Sequence, residues 1–126
     1  MVIEVTPQKV DPEERVKKVF LKAVELLGGF KALAEFRSLT WLPSIARAVY
    51  AVVLKEEYNR SDEEIAEQLG LTKESVRNML RGDPEQVMEK IKDIKELSSE
   101  EGKEMRIHTA GSLARLAYRL LKEEEG

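Results

Sequence analysis

Hydrophobic positions recur along this chain at intervals of three and four residues. Beyond Pro12 the spacing continues as far as Leu27, where Gly28 and Gly29 interrupt it. Because a helix turns once in 3.6 residues, apolar residues at this spacing share one face. Asp11 is a helix-capping residue type and Pro12 is favoured at the first helical position. The sequence therefore predicts an amphipathic helix from about residue 12 to residue 27.

Similar patterns predict further helices along the rest of the chain. The segment 43–58 is apolar on nearly every side as far as Leu54, which predicts a central, buried helix. Ser61 with Glu64 and, later, Thr72 are residues that cap helix starts. The stretches "VIEV" and "MRIH" are candidates for a short two-stranded ribbon. The predicted helices are about 12–27, 31–37, 43–58, 62–69, 72–81, 84–97 and 109–122, and the predicted fold class is all-α.

Length and composition restrict the classes of protein to be considered. A chain of 126 residues is the usual size of one domain, so residues 1–126 are predicted to form a single domain. The absence of cysteine excludes disulfides, and one histidine without cysteine makes a transition-metal site unexpected. The predominance of Glu, Lys and Arg over Asn and Gln is typical of proteins from thermophiles.

The sequence gives no indication of an enzyme or of a membrane protein. No nucleophile has an identifiable base and no glycine-rich phosphate loop occurs, so no activity and no cofactor are predicted. The longest apolar run, "AVYAVVL", is too short to cross a bilayer. The first residues do not form a signal peptide, and we therefore expect a cytoplasmic protein.

Residues 62–81 carry the most informative pattern in the chain. Two short amphipathic helices are separated by a turn at Gly70, where a left-handed backbone conformation favours glycine. Ala66 is small where the second helix is expected to cross the first. The apolar positions that would bury the two helices are Ile65, Leu69, Leu71, Val76, Met79 and Leu80.

This segment, together with the buried helix at 43–58, resembles the tri-helical helix-turn-helix domain of bacterial and archaeal transcription regulators and of the promoter-reading region of sigma factors. The resemblance implies a DNA-binding core at 43–81, with additional N- and C-terminal helices. The motif followed by "RGDPEQV" and "HTAGSLARLAYRLL" also resembles a family of regulatory proteins of thermophiles predicted to act beside KaiC-like ATPases. That second resemblance implies a regulatory ATPase partner.

The second helix of the motif presents side chains suited to reading double-stranded DNA. With its apolar residues facing the core, the opposite face holds positions 74, 77, 78 and 81. Arginine can bond guanine in two places, asparagine can do the same to adenine, and glutamate can accept from cytosine. The helix N-terminus favours phosphate or base contacts. The candidate DNA-binding residues are Thr72, Lys73, Glu74, Arg77, Asn78 and Arg81.

Charge leaves more than one interpretation open. Residues 60–81 contain four basic and five acidic side chains, and the whole chain has a formal charge of −3. DNA binding must therefore come from a local basic patch. The alternatives are a module that docks a regulatory protein partner without DNA, and a merely solvated surface. A continuous positive surface joining the second helix of the motif to the last helix favours DNA, and interruption by acidic residues favours docking.

The last predicted helix carries a second set of basic residues. Arg115, Arg119 and Lys122 fall in a narrow sector opposite its apolar face, and they are candidate contacts to the phosphate backbone. The alternative is that they lie in water and interact favourably with the carbonyl end of the helix.

The same helix holds small residues at three- and four-residue spacing, namely Ala110, Ala114 and Ala117. Small residues allow two helices to approach closely, within one chain more readily than between two copies. Because helix-turn-helix proteins commonly bind DNA as dimers, we also expect a homodimer, with this helix as its seam.

Overall fold

The computed structural model describes residues 12–35, 42–86 and 107–126, and within them every regular element is helical. The all-α class is confirmed. A 3₁₀ turn at Pro84–Gln86 follows the fifth helix. The α-helices are α1 (Glu13–Leu26), α2 (Gly29–Glu35), α3 (Leu42–Tyr58), α4 (Asp62–Leu69), α5 (Lys73–Leu80) and α6 (Ile107–Glu125).

The observed boundaries of α1, α3, α4 and α5 lie within one residue of the predicted ones, whereas α2 begins two residues earlier than predicted. The described start of the predicted helix 84–97 is a 3₁₀ turn, and α6 differs from its prediction at both ends. This helix begins two residues earlier than predicted and continues through Glu125. Its last turn is tied to α1, because Arg15 pairs with Glu125 and Lys22 pairs with Glu124. The proposed cap at Asp11, the ribbon strand "VIEV" and most of the predicted helix 84–97 lie outside the described residues.

The buried side chains of α1, α3, α4, α5 and α6 form one apolar cluster. As predicted, α3 is central, and seven of its residues are buried. The last helix is equally central: it packs against α1, α3, α5 and the 3₁₀ turn, and Leu113 is fully buried. The last helix was predicted as an addition to a core at 43–81, and the structure shows that α6 also contributes to the buried core.

The small residues of α6 serve packing within the chain. Ala110, Ala114 and Ala117 are all fully buried in the apolar cluster. Because these side chains are covered within the chain, they do not form the dimer contact expected from them, and the homodimer itself stays a prediction. The structure instead supports the other use of small residues, which is close helix approach inside one chain.

A glycine allows a close approach between α5 and α6. A Cβ atom built on Gly111 would lie 1.9 Å from the backbone oxygen of Met79 and 2.6 Å from its carbonyl carbon. A side chain of any size would therefore push the two helices apart. This contact determines which residues of α6 lie beside the C-terminal end of α5.

Candidate nucleic-acid interface

Three helices of the region 43–81 contact one another: α3 packs against both α4 and α5, and α4 packs against α5.

The start of α4 is a complete capping box. Ser61 Oγ accepts from the backbone N–H of Glu64 at 3.1 Å, and Glu64 Oε1 accepts from the backbone N–H of Ser61 at 2.8 Å. Hydrogen bonding of the Glu64 carboxylate to the backbone N–H of Ser61, followed by hydrogen bonding to the Ser61 side chain, lowers the pKa of Glu64.

The turn between α4 and α5 is built as the sequence predicts. Gly70 has the left-handed φ of 69°. Its N–H donates to Glu67 O at 3.4 Å while the N–H of Leu71 donates to Ala66 O at 2.8 Å, which is the hydrogen-bond pair of a Schellman motif. Thr72 then caps α5 by accepting from the backbone N–H of Ser75 at 3.0 Å.

The orientation of α5 agrees with its apolar pattern. Val76 and Met79 are buried, and Leu80 is half-buried against the core. Of the candidate DNA-binding residues, Asn78 is half-buried. The other five, Thr72, Lys73, Glu74, Arg77 and Arg81, are exposed.

Carboxylates of α4 engage the basic residues that surround them. Lys73 Nζ lies 2.9 Å from Glu63 Oε1. Asp62 lies between two cations, with Oδ1 3.2 Å from Lys55 Nζ and Oδ2 3.7 Å from Arg77 Nε. The exposed cations near α4 are therefore partly neutralised by side chains of the same chain.

The basic residues of α6 face the segment that follows α5. Arg115 is half-buried and its Nη1 donates to the backbone oxygen of Gly82. Arg119 Nη1 lies 2.8 Å from Glu85 Oε1, and Lys122 is exposed. Since Gly111, Arg115 and Arg119 are four residues apart, one face of α6 places all three beside the end of α5 and its continuation.

Two neighbouring surface cavities connect the basic residues of α5 with those of α6. The first, of about 370 Å³, is lined by Lys55, Asp62, Arg77, Leu80 and Arg81. Because Lys55 and Leu80 also line the second cavity, the two cavities are adjacent, and we call their combined lining the basic groove. The further residues of the second cavity are Val52, Glu56, Pro84, Arg115, Tyr118, Arg119 and Lys122.

The basic groove brings together part of the predicted site and leaves part of it outside. Arg77 of α5, Arg81 at its C-terminal cap and all three predicted cations of α6 line it, with Asp62 and Glu56 as the acidic lining residues. Among the described residues that line these two cavities, the N-terminal candidates of α5 and Asn78 do not appear. The sequence-predicted site is thus divided between the groove and the neighbouring exposed end of α5.

Sequence reasoning missed Lys55 and Tyr118 as residues of this surface. Lys55 follows directly after the apolar run of α3, and its position seven residues before Asp62 was the available signal. Tyr118 is half-buried, and burial, followed by the nearby Glu57 carboxylate, raises its pKa to about 12. The phenol is therefore neutral at physiological pH and can act as a hydrogen-bond donor.

Neither a metal centre nor a membrane span is found in the part of the chain that the structure describes. No group of three or more His, Asp or Glu side chains there is arranged to hold a metal ion. No helix there is both long enough and apolar enough to span a bilayer. Comparison with protein-family models, with curated proteins and with solved structures finds no match. The functional argument consequently rests on the geometry of the groove and of α5.

Proposed function

We propose that this protein is a cytoplasmic transcription regulator that binds double-stranded DNA through a helix-turn-helix formed by residues 43–81. In this proposal α5 enters the major groove. Arg77, Asn78 and Arg81 contact base edges. Thr72, Lys73 and Glu74, at the N-terminal end of the helix, lie beside these contacts. Arg115, Arg119 and Lys122 on α6 contact the phosphate backbone.

One observation carries this proposal, namely the continuity of the basic groove. Arg77 and Arg81 on α5 share a surface with the cations of α6 through Lys55 and Leu80. In a chain of net charge −3, such a local concentration of cations supplies the attraction that DNA phosphates require.

The ion pairs at α4 favour a second candidate, a module that docks a regulatory protein such as an ATPase. Lys73–Glu63 and Arg77–Asp62 place carboxylates among the cations of the exposed surface. A surface of mixed charge suits a protein partner, whose own charges can be of either sign, better than it suits a uniformly negative duplex.

The experiment is a selection of genomic DNA fragments with the purified protein, followed by fluorescence titrations at several salt concentrations. Selected and scrambled duplexes are compared for the wild type, Arg77→Ala and Arg119→Ala. Arg77→Ala should weaken binding to the selected site by about 1–3 kcal/mol and relax preference at one base pair. Arg119→Ala should weaken binding to all sequences alike and reduce the salt slope by about one unit.

Arg47→Ala is the matched control for the loss of one exposed cation. Arg47 is exposed near the start of α3, about 12 Å along the helix from Lys55. This variant should bind both duplexes like the wild type, and all three changes should leave stability within about 0.5 kcal/mol. Absence of salt-dependent binding of the wild type to any duplex would refute the DNA proposal and leave protein docking.

We also propose that two copies bind together, because dimers place two reading helices about 34 Å apart on successive turns of DNA. The buried stripe of α6 does not provide the contact. Sedimentation with and without the selected duplex tests the proposal. A strict monomer in both samples would contradict it.

A further inference from the structure

Asp62 connects three helices at the edge of the basic groove. It belongs to the first turn of α4, and its two carboxylate oxygens pair with Lys55 of α3 and with Arg77 of α5. Its side chain is only 25% exposed, whereas those of Lys55 and Arg77 are 41% and 44% exposed. One partly buried carboxylate thus engages two cations that solvent and ligands can reach.

The position of this carboxylate affects how Arg77 can be used. Asp62 lies nearest to Nε of the guanidinium, at 3.7 Å. The two terminal nitrogens, Nη1 and Nη2, can together contact the O6 and N7 atoms of guanine. A carboxylate beside Nε therefore orients the guanidinium without occupying the nitrogens that would read a base.

The same carboxylate has a different effect on contacts to phosphate. Non-specific binding to DNA comes from cations that neutralise phosphates and release counterions, and each such cation adds about 0.9 to the salt slope. A lysine or arginine paired with a carboxylate of its own chain must give up that pairing before it can neutralise a phosphate, which makes the contact less favourable. Asp62 therefore opposes sequence-independent contacts by both Lys55 and Arg77.

We infer that Asp62 is a specificity-determining residue, which restrains Lys55 and Arg77 from binding any phosphate and positions Arg77 for a base edge. The inference rests on the proposed DNA binding and adds to it the way in which specific and non-specific sequences are distinguished.

The test compares Asp62→Asn with Glu67→Gln, using the full chain and the selected and scrambled duplexes of the preceding experiment. Glu67 lies on the same helix, is exposed, and forms no ion pair with any described residue. Both substitutions raise the net charge of the protein by one unit. A difference in DNA binding between the two variants therefore reports the loss of the Asp62 ion pairs and not the change in net charge. Circular dichroism confirms that each variant is folded at the temperature of the titration.

Asp62→Asn should raise affinity for the scrambled duplex about threefold to tenfold and steepen its salt slope by about one to two units, as Lys55 and Arg77 are released. Affinity for the selected duplex should rise less, so that the ratio of the affinity for the selected duplex to that for the scrambled duplex falls. Glu67→Gln should leave that ratio and both slopes unchanged. Asp62→Glu, which retains the charge, should keep the salt slope of the wild type.

Three results would overturn the inference, and they can be told apart. If the wild type prefers the selected duplex but Asp62→Asn behaves like Glu67→Gln, the role of Asp62 is refuted while DNA binding stands. If the wild type binds no duplex, the proposed function fails and the role of Asp62 fails with it. Loss of specificity in Asp62→Glu equal to that in Asp62→Asn would also count against the inference, because charge pairing would then not be its cause.

Discussion

The backbone of Gly111 in α6 lies directly against the backbone carbonyl of Met79 in α5, so closely that a Cβ atom there would be 1.9 Å from the Met79 oxygen. No side-chain rearrangement can relieve such an overlap, because both partners are backbone. The contact holds α6 beside the end of α5, and one and two turns later Arg115 and Arg119 engage Gly82 and Glu85. The shape of the basic groove therefore depends on a glycine outside it.

Replacement of Gly111 by alanine should destabilise the fold. In an isolated helix this change is favourable by about 1 kcal/mol, but here it forces α6 away from α5, and overpacking of this kind costs about 1–3 kcal/mol. Chemical denaturation measures the net loss. Glu123→Ala, which places alanine at an exposed position of the same helix, should stay within about 0.5 kcal/mol. A Gly111→Ala variant more stable than the wild type by about 1 kcal/mol, the gain expected in an isolated helix, would disprove the contact.

The turn at Gly70 gives a second prediction, in which backbone conformation and not space is decisive. No atom lies within 4 Å of a Cβ built on Gly70, yet its φ is +69°. Gly70→Val should cost about 1 kcal/mol or more, because a β-branched residue resists the left-handed region. Gly70→Asn should cost less, since asparagine tolerates this region. Equal melting temperatures for the wild type and both variants would contradict the motif assignment.

Protonation of Glu64 should weaken the start of α4. Its pKa is lowered in the folded state by the hydrogen bonds of the capping box, so its contribution is present above the unfolded pKa of about 4.3 and is lost as pH falls through the folded value. Glutamine can fill the same position of the box without titrating. The stability advantage of the wild type over Glu64→Gln should therefore shrink between pH of about 7 and about 3. A difference that is constant over this range would exclude the mechanism.

Tyr118 should ionise at unusually high pH. Burial, then the charge of Glu57, raises its pKa to about 12, compared with about 10 for an ordinary tyrosine. Stability from the neutral phenol is fully present below the unfolded pKa and is lost as pH rises toward the folded one. The phenolate absorbance of Tyr118 is obtained as that of the wild type minus that of Tyr118→Phe. Its titration should have a midpoint at pH about 12. A midpoint near the ordinary value would place this side chain in open solvent.

The sequence by itself determined the local features of the fold. The cap formed by Ser61 and Glu64, the turn at Gly70 and the cap at Thr72 were all predicted and are confirmed. These features depend on residues within one turn of each other, so that residue type and spacing are sufficient to specify them. The exposed faces of α5 followed in the same way from its apolar positions.

Only the tertiary structure decided which residues meet across helices. The partners of the predicted cations come from other elements: Asp62 for Arg77, Glu63 for Lys73 and Glu85 for Arg119. Charged residues are frequent in this chain, and helical periodicity places many of them on exposed faces without specifying their partners.

The central place of α6 was likewise beyond local reasoning. Its amphipathic pattern indicates that one face is buried but not which helices cover it. Its packing against α5 includes a backbone contact between residues 79 and 111, which are far apart in sequence. Side-chain spacing within one helix carries no information about such a contact, because the contact arises from how closely two separate backbones can pack.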